Sequence, residues 1–264
     1  MRVGCQIGVW GAASVEAAIA EMGAAKLKGI ELFHAHIISY YSTPAVLRDC
    51  LKKAGMSLAG VYFASDKFIA PDGECEVLDQ VKEACDFIRS VEGGFLVMNG
   101  GVGKPEGRTF SDDEFDRMAR IANRIGVESR QRDVQTVIHP HIRCMIESCG
   151  DVDRLLDAGL NKNLVGLCVH ASHQHALGLD PYEMYEKHAS WVRYVHVGNT
   201  GKDGKGELLG EGALDQNRLH KPILNAGFDG WFIIECRKEG MSAKDYCNDA
   251  RKFMKSQWRN VRWE

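Results

Sequence analysis

At 264 residues the chain is long for one β-sandwich and matches the usual size of a single (β/α)8 barrel. Its 45% hydrophobic and 26% charged residues are ordinary for a globular protein, and no apolar run approaches the roughly 18 residues of a membrane-spanning helix. A formal charge of −3, with no Lys/Arg cluster interleaved with aromatics, argues against nucleic acid as a partner.

The N-terminal "MRVGCQIGVW" reads as a strand rather than an export signal, so a cytoplasmic location without membrane contact is expected. Nine cysteines are an odd count with no CxxC pair, and Cys5, Cys168 and Cys236 sit in apolar runs where a reduced thiol packs as a small hydrophobe.

Short apolar runs then alternate with helical periodicity along the whole chain. Strands are expected at Val3–Val9, Gly29–Phe33, Leu58–Ala64, Phe95–Gly100, Val134–His139, Leu164–His170, Val192–Val197 and Trp231–Cys236. Helix starts are signalled by Ser14, Thr43-Pro44, the capping box Ser111 with Glu114, and Asp180-Pro181, and Gly55 suits a left-handed cap. Eight βα units over 1–264 imply a single α/β domain with a parallel sheet covered by helices. Closure into a (β/α)8 barrel is the simplest arrangement. An open doubly wound sheet is the alternative, although no GxGxxG follows the first strand and "NGGVGKPEG" is not a phosphate loop.

In such a barrel, catalytic groups project from the C-terminal ends of the strands. Strands five to eight end on His139, His170, His196 and Glu235, so four ligands for a transition metal converge there. Taken singly, each is as well explained as a hydrogen-bonded structural residue, and histidine also serves as an acid or base near neutral pH. His141 shares a face with His139. Asn99 ends strand four, and Glu31 in "GIELF" is either a satisfied core carboxylate or a rim group for hydroxyls. Trp10 and Phe33 either stack on a ligand ring or pack, and His34 and His36 either line the mouth or face solvent. His175, His188 and His220 are expected at the surface. The Gly-rich "HVGNTGKDGKGELLGEGALD" suits a mobile lid over a small polar substrate, and "NGGVGKPEGRTFSDDEF" suits part of the rim.

"VIHPHIRCMIES", "NLVGLCVHASHQHALGLDP", "VRYVHVGNTGKDGKGELLGEGALD" and "AGFDGWFIIE" together resemble the xylose isomerase-like TIM-barrel family of sugar isomerases, epimerases and inosose dehydratase-like lyases. The resemblance implies a divalent metal (Mn, Zn, Co or Fe) held by one side chain from each of strands five to eight. By position these are His139, His170, His196 and Glu235. It implies proton transfer by Glu235 with His139, His173 on the substrate side, and assembly into dimers or tetramers. The chain departs from the family pattern at His139 (usually Glu), at His170 (usually Asp) and at Gly198-Asn199 (usually Lys-Asp), and Glu147 is a candidate to restore a carboxylate.

The expected function is proton abstraction beside a carbonyl of a sugar, ending in isomerisation or epimerisation, or alternatively in elimination. A non-catalytic sugar-binding barrel that has lost its metal is a third reading. A polynuclear-zinc phosphodiesterase is a fourth, which the acidic charge balance opposes.

Overall fold

The computed structural model describes residues 1–258 and 263, so positions 259–262 and 264 of the expected domain lie outside the described residues. The strands are β1 (Arg2–Gln6), β2 (Gly29–Phe33), β3 (Ser57–Phe63), β4 (Phe95–Asn99), β5 (Gln135–His139), β6 (Val165–Val169), β7 (Val192–Val197), β8 (Asn199–Thr200), β9 (Gly206–Glu207) and β10 (Trp231–Ile234). Eight of them close in the order β1-β10-β7-β6-β5-β4-β3-β2, every neighbour parallel, while β8 and β9 form a separate antiparallel hairpin. Closure rules out the open sheet. Among the described residues no helix is long and apolar enough to cross a membrane.

The first strand stops at Gln6, three residues short of expectation, because Ile7–Trp10 turns into one helical turn capped by Gly11 at φ +70°. Ser14, Ser111 with Glu114, and Thr43-Pro44 all start helices, and Gly55 ends one at φ +64°. The helix expected from Asp180-Pro181 shrinks to Glu183–Lys187. All nine cysteines are free.

Side chains two apart on a strand share a face, so each barrel strand stacks its inward residues in layers. The lower layers are apolar: Ala59, Phe95, Val97, Val137, Cys168, Tyr194, Trp231 and Ile233 form their own buried cluster. Trp231 plugs this end, and Gly29 leaves it room, since a Cβ there would lie 2.5 Å from the indole. One step further along the same faces come Asn99, His139, His170, His196 and Glu235. The polar layer is therefore the topmost. A separate cavity of about 360 Å³, lined by Arg2, Gln135 and Arg193 among others, lies at the N-terminal end of the strands, away from these groups.

A larger apolar cluster fills the shell between barrel and helices. His188 and His220, expected at the surface, are instead buried, at 5% and 1% exposed. The helix Gln216–Asn225 buries Gln216, Leu219, His220 and Ile223, spaced as one helical face. His220 donates from Nδ1 to the Gln216 carbonyl at 2.8 Å and packs against Trp258 and Phe232. Burial, only partly offset by that hydrogen bond, holds its pKa down to about 4.

The folded protein thus keeps His220 neutral, while the unfolded chain protonates it near pH 6.5. Stability from this group is complete above that pH and is lost as pH falls toward 4. Between pH 7.5 and 5 the loss amounts to about 2 kcal/mol. Urea unfolding of the wild type and His220→Gln at both pH values measures it: the variant should lose less over this interval, and equal losses would contradict the assignment.

Candidate metal and active centre at the barrel mouth

Glu235 follows β10 and stands at the middle of the polar layer. Its Oε2 lies 2.6 Å from His196 Nδ1, 3.0 Å from His170 Nδ1 and 4.0 Å from His139 Nε2. Its Oε1 accepts a hydrogen bond from the Gln6 amide at 2.9 Å. The same amide reaches Glu31 Oε1 at 3.1 Å, and Glu31 Oε2 accepts from His196 Nε2 at 2.9 Å. Glu31, His139 and His196 are at most 1% exposed. Six strands thus feed one connected polar network.

The charges sort by neighbour. Burial raises the Glu235 carboxyl, but His196 and His170 outweigh it and hold the group well below the carboxylate range. Burial lowers His196, but Cys168, Glu235 and Glu31 lift it well above the usual histidine value. Burial and His196 push His139 well down, and burial with His170 takes His173 down to about 2. Burial pushes the Cys168 thiol up to about 11.

His139 Nδ1 lies 3.1 Å from the Cys168 carbonyl oxygen, which can only accept. The proton is therefore on Nδ1, and the neutral ring presents a lone pair at Nε2. That atom, both nitrogens of His170, His173 Nδ1, His196 Nδ1 and Glu235 Oε2 are buried without a hydrogen-bonding partner. So many buried polar atoms without a well-formed hydrogen bond around one point are costly unless a cation takes up their lone pairs. One donor atom each from His139, His170, His173 and Glu235 lies within 4.8 Å of the others, while His196 groups with His139 and Cys168. The residues fit a divalent transition metal, and His173, expected on the substrate side, converges with the ligand set.

The other expected residues occupy the rim. Phe33 packs between His36 and Tyr62, at ring separations of 5.5 and 5.8 Å. His141 stacks edge-on to His173 at 4.4 Å and donates from Nδ1 to the Ile142 carbonyl, leaving Nε2 available. Asn99 ends β4, its amide nitrogen 3.8 Å from Cys144 Sγ and its amide oxygen buried without a partner. Trp10 is buried and donates its indole N–H to Glu21 at 2.6 Å. His34 and His36 are half-buried, bonded to Tyr41 and to the Phe33 backbone. His175, also half-buried rather than exposed, bonds the Thr200 hydroxyl at 2.7 Å.

Glu147 does not restore a metal-binding carboxylate. It pairs with Lys104 and accepts from the Arg143 backbone, tying the loops after β4 and β5 together. The additional carboxylate of the mouth is Glu31. Gln6 and Tyr62 were not singled out from sequence, yet Gln6 bridges both glutamates and Tyr62 sits edge-on to His139 at 6.1 Å. Gln6 could have been found by the strand-end rule had β1 been ended there.

The Gly-rich segment after β7 is not a loose lid. Asn199, fully buried, donates to the Leu209 and Leu214 carbonyls and accepts from the Leu214 and Thr200 backbones. Gly198 explains the companion departure. A Cβ there would lie 2.6 Å from Cys236 Cβ and 3.2 Å from His170 Nε2. The imidazole at position 170 fills the space beside position 198, so any larger residue there meets it. Gly198→Ala is expected to destabilise the fold by about 1–3 kcal/mol through overpacking and to weaken metal binding by displacing His170. Urea titration and metal dissociation constants test this, and a variant unchanged in both would refute the link.

The family described as Xylose isomerase-like TIM barrel matches residues 17–257. An inosose dehydratase of Bacillus velezensis is 24% identical over an alignment of 247 residues, covering 83% of this chain and 82% of that protein. The solved 3-keto-D-glucoside 4-epimerase YcjR of E. coli superposes with a TM-score of 0.76 at 14% identity, covering 97% and 99% of the two chains. The solved IolI protein with a bound zinc atom gives 0.79 at 13% identity, covering 97% of each. With its closed parallel barrel and this match over most of its length, the chain belongs to the xylose isomerase-like TIM-barrel family.

Proposed function

We propose that the chain is an enzyme that moves a proton on the carbon next to a carbonyl of a sugar or keto-sugar. The observation that carries this reading is the convergence of the Glu235 carboxylate and three imidazoles at one end of the barrel. A divalent transition metal (Mn, Zn, Co or Fe), held by Glu235 with His139, His170 and His196 or His173, would supply Lewis-acid polarisation of the carbonyl. Nitrogen-rich ligation disfavours Mg and Ca, which prefer oxygen.

The chain's own residues do the rest. Glu235, anchored through Oε1 by Gln6, is the proton acceptor, and His139 Nε2 is a second proton carrier on the neighbouring strand. His173 stands between His170 and His141, where it can meet a sugar hydroxyl. Asn99 and His141, each with a polar atom free, bind hydroxyls in this reading, Glu31 and Glu147 support them from behind because their own oxygens are already held, and Phe33 with Trp10 supplies apolar walls.

Return of the proton to the same or the adjacent carbon gives an epimer or isomer. A second reading is favoured by the inosose dehydratase relatives: the C–H electron pair forms a C=C bond, the β C–O bond breaks, and a histidine proton lets the hydroxyl leave as water.

Incubation in D2O with inosose and a ketohexose panel, with metals supplied, tests both readings by NMR. Deuterium beside the carbonyl, or loss of water, is expected. Calorimetric sugar binding without exchange or elimination across the panel would instead establish a non-catalytic barrel.

A further inference from the structure

A second group of metal-ligating side chains lies outside the barrel mouth: Cys149, Asp153 and His188, one donor atom of each within 4.8 Å of the others. Cys149 opens the helix Cys149–Asp157 after its Ser148 cap, and Asp153 follows one turn later on the same face. His188 ends the helix Glu183–Lys187 of the next βα unit. Cys149 and His188 are 4% and 5% exposed, whereas the Asp153 side chain is 32% exposed, leaving a way in from solvent.

Packing alone does not account for the group. His188 Nε2 is buried with Asp153 Oδ1 3.2 Å away as its one near carboxylate oxygen, and the two make no well-aligned hydrogen bond. Burial and the carboxylates of Glu183 and Asp153 push the Cys149 thiol up to about 12, and Glu183 also hydrogen-bonds it. The cation on hand, Lys187, pairs with the outer oxygen of Asp153. A sulfur, an imidazole nitrogen and a carboxylate oxygen are a zinc donor set and a poor one for Mg or Ca.

We propose that Cys149, Asp153 and His188 form a zinc site separate from the barrel centre, with water completing the coordination through the exposed side of Asp153. On binding, the Cys149 S–H bond breaks, an S–Zn bond forms and the proton passes to buffer. The ion clips the fifth βα unit to the sixth and replaces Lys187 as the counter-charge of Asp153.

Cobalt(II) chloride titrated into chelator-treated protein is the test, because thiolate ligation gives a near-ultraviolet charge-transfer band. The band should appear, be displaced by zinc, vanish in Cys149→Ser and persist in Cys168→Ser, which controls for the thiol near the barrel centre. Asp153→Asn and His188→Gln should weaken cobalt at this site at least ~10-fold, and zinc should raise the Tm of the wild type further than that of Cys149→Ser, which keeps only the barrel centre. Should Cys149→Ser fail to fold, Asp153→Asn, a change at a partly exposed position, gives the answer. No band in the wild type, or a band surviving Cys149→Ser or undiminished in Asp153→Asn, overturns the site.

Discussion

Glu235→Gln is expected to cut kcat on the reactive sugar by about 10²–10⁴-fold, the range for removing a positioned general acid or base, while leaving the barrel folded. The geometry concentrates the effect in one atom. Oε2 faces three imidazoles at 2.6, 3.0 and 4.0 Å, so a neutral amide there removes both the proton acceptor and the negative charge those rings share. Oε1 keeps its hydrogen bond from Gln6 if the amide presents oxygen on that side, which is why the fold should survive. Steady-state kinetics with elemental metal analysis separates the two roles. Activity lost with metal retained identifies proton transfer, and joint loss identifies ligation; kcat within threefold of wild type would remove Glu235 from the centre of the mechanism.

The barrel was legible in the sequence because each parallel strand, buried on both faces, reads as a continuous apolar run, and eight such runs were found in place. Boundaries failed where apolar residues continued past the strand. Ile7-Gly8-Val9 looks like more of β1, but Gly11 in the left-handed region ends a helical turn instead, and Gln6 was thereby hidden in mid-strand. His220 was misplaced although its spacing from Gln216, Leu219 and Ile223 already describes a buried helical face. The network among Gln6, Glu31 and His196 was not legible. It joins β1, β2 and β7 across up to 165 residues, and only closure of the barrel through β10 brings them together. Nor does composition reveal that Asn199 pins the Gly-rich segment after β7, since glycine count reports chain freedom and not the hydrogen bonds that remove it.

That network carries the second large effect: Glu31→Ala is expected to cost about 3–5 kcal/mol of stability, as removal of one partner of a buried ionic pair does. Both side chains are shielded completely from solvent, so water cannot replace the lost oxygens. Two N–H groups are stranded at once: His196 Nε2–H, now bonded at 2.9 Å, and the one N–H of the Gln6 amide that points at Glu31, now bonded at 3.1 Å, while its other N–H keeps Glu235. Each unsatisfied donor costs about 1–3 kcal/mol, so the pair alone accounts for most of the loss. Glu31→Gln retains an oxygen for His196 and should cost clearly less, which separates hydrogen bonding from simple cavity formation. The function should follow stability only in part. Without Glu31 the His196 ring loses the contact that sets its orientation, and metal affinity should fall about 10–100-fold, as for other supporting partners of ligating histidines. Urea unfolding and metal titration of the two variants side by side decide the matter. If Glu31→Ala unfolds less than 1 kcal/mol below wild type, the carboxylate is not what holds His196 against Glu235, and the ring's position must come from packing on Tyr194 and His139 instead.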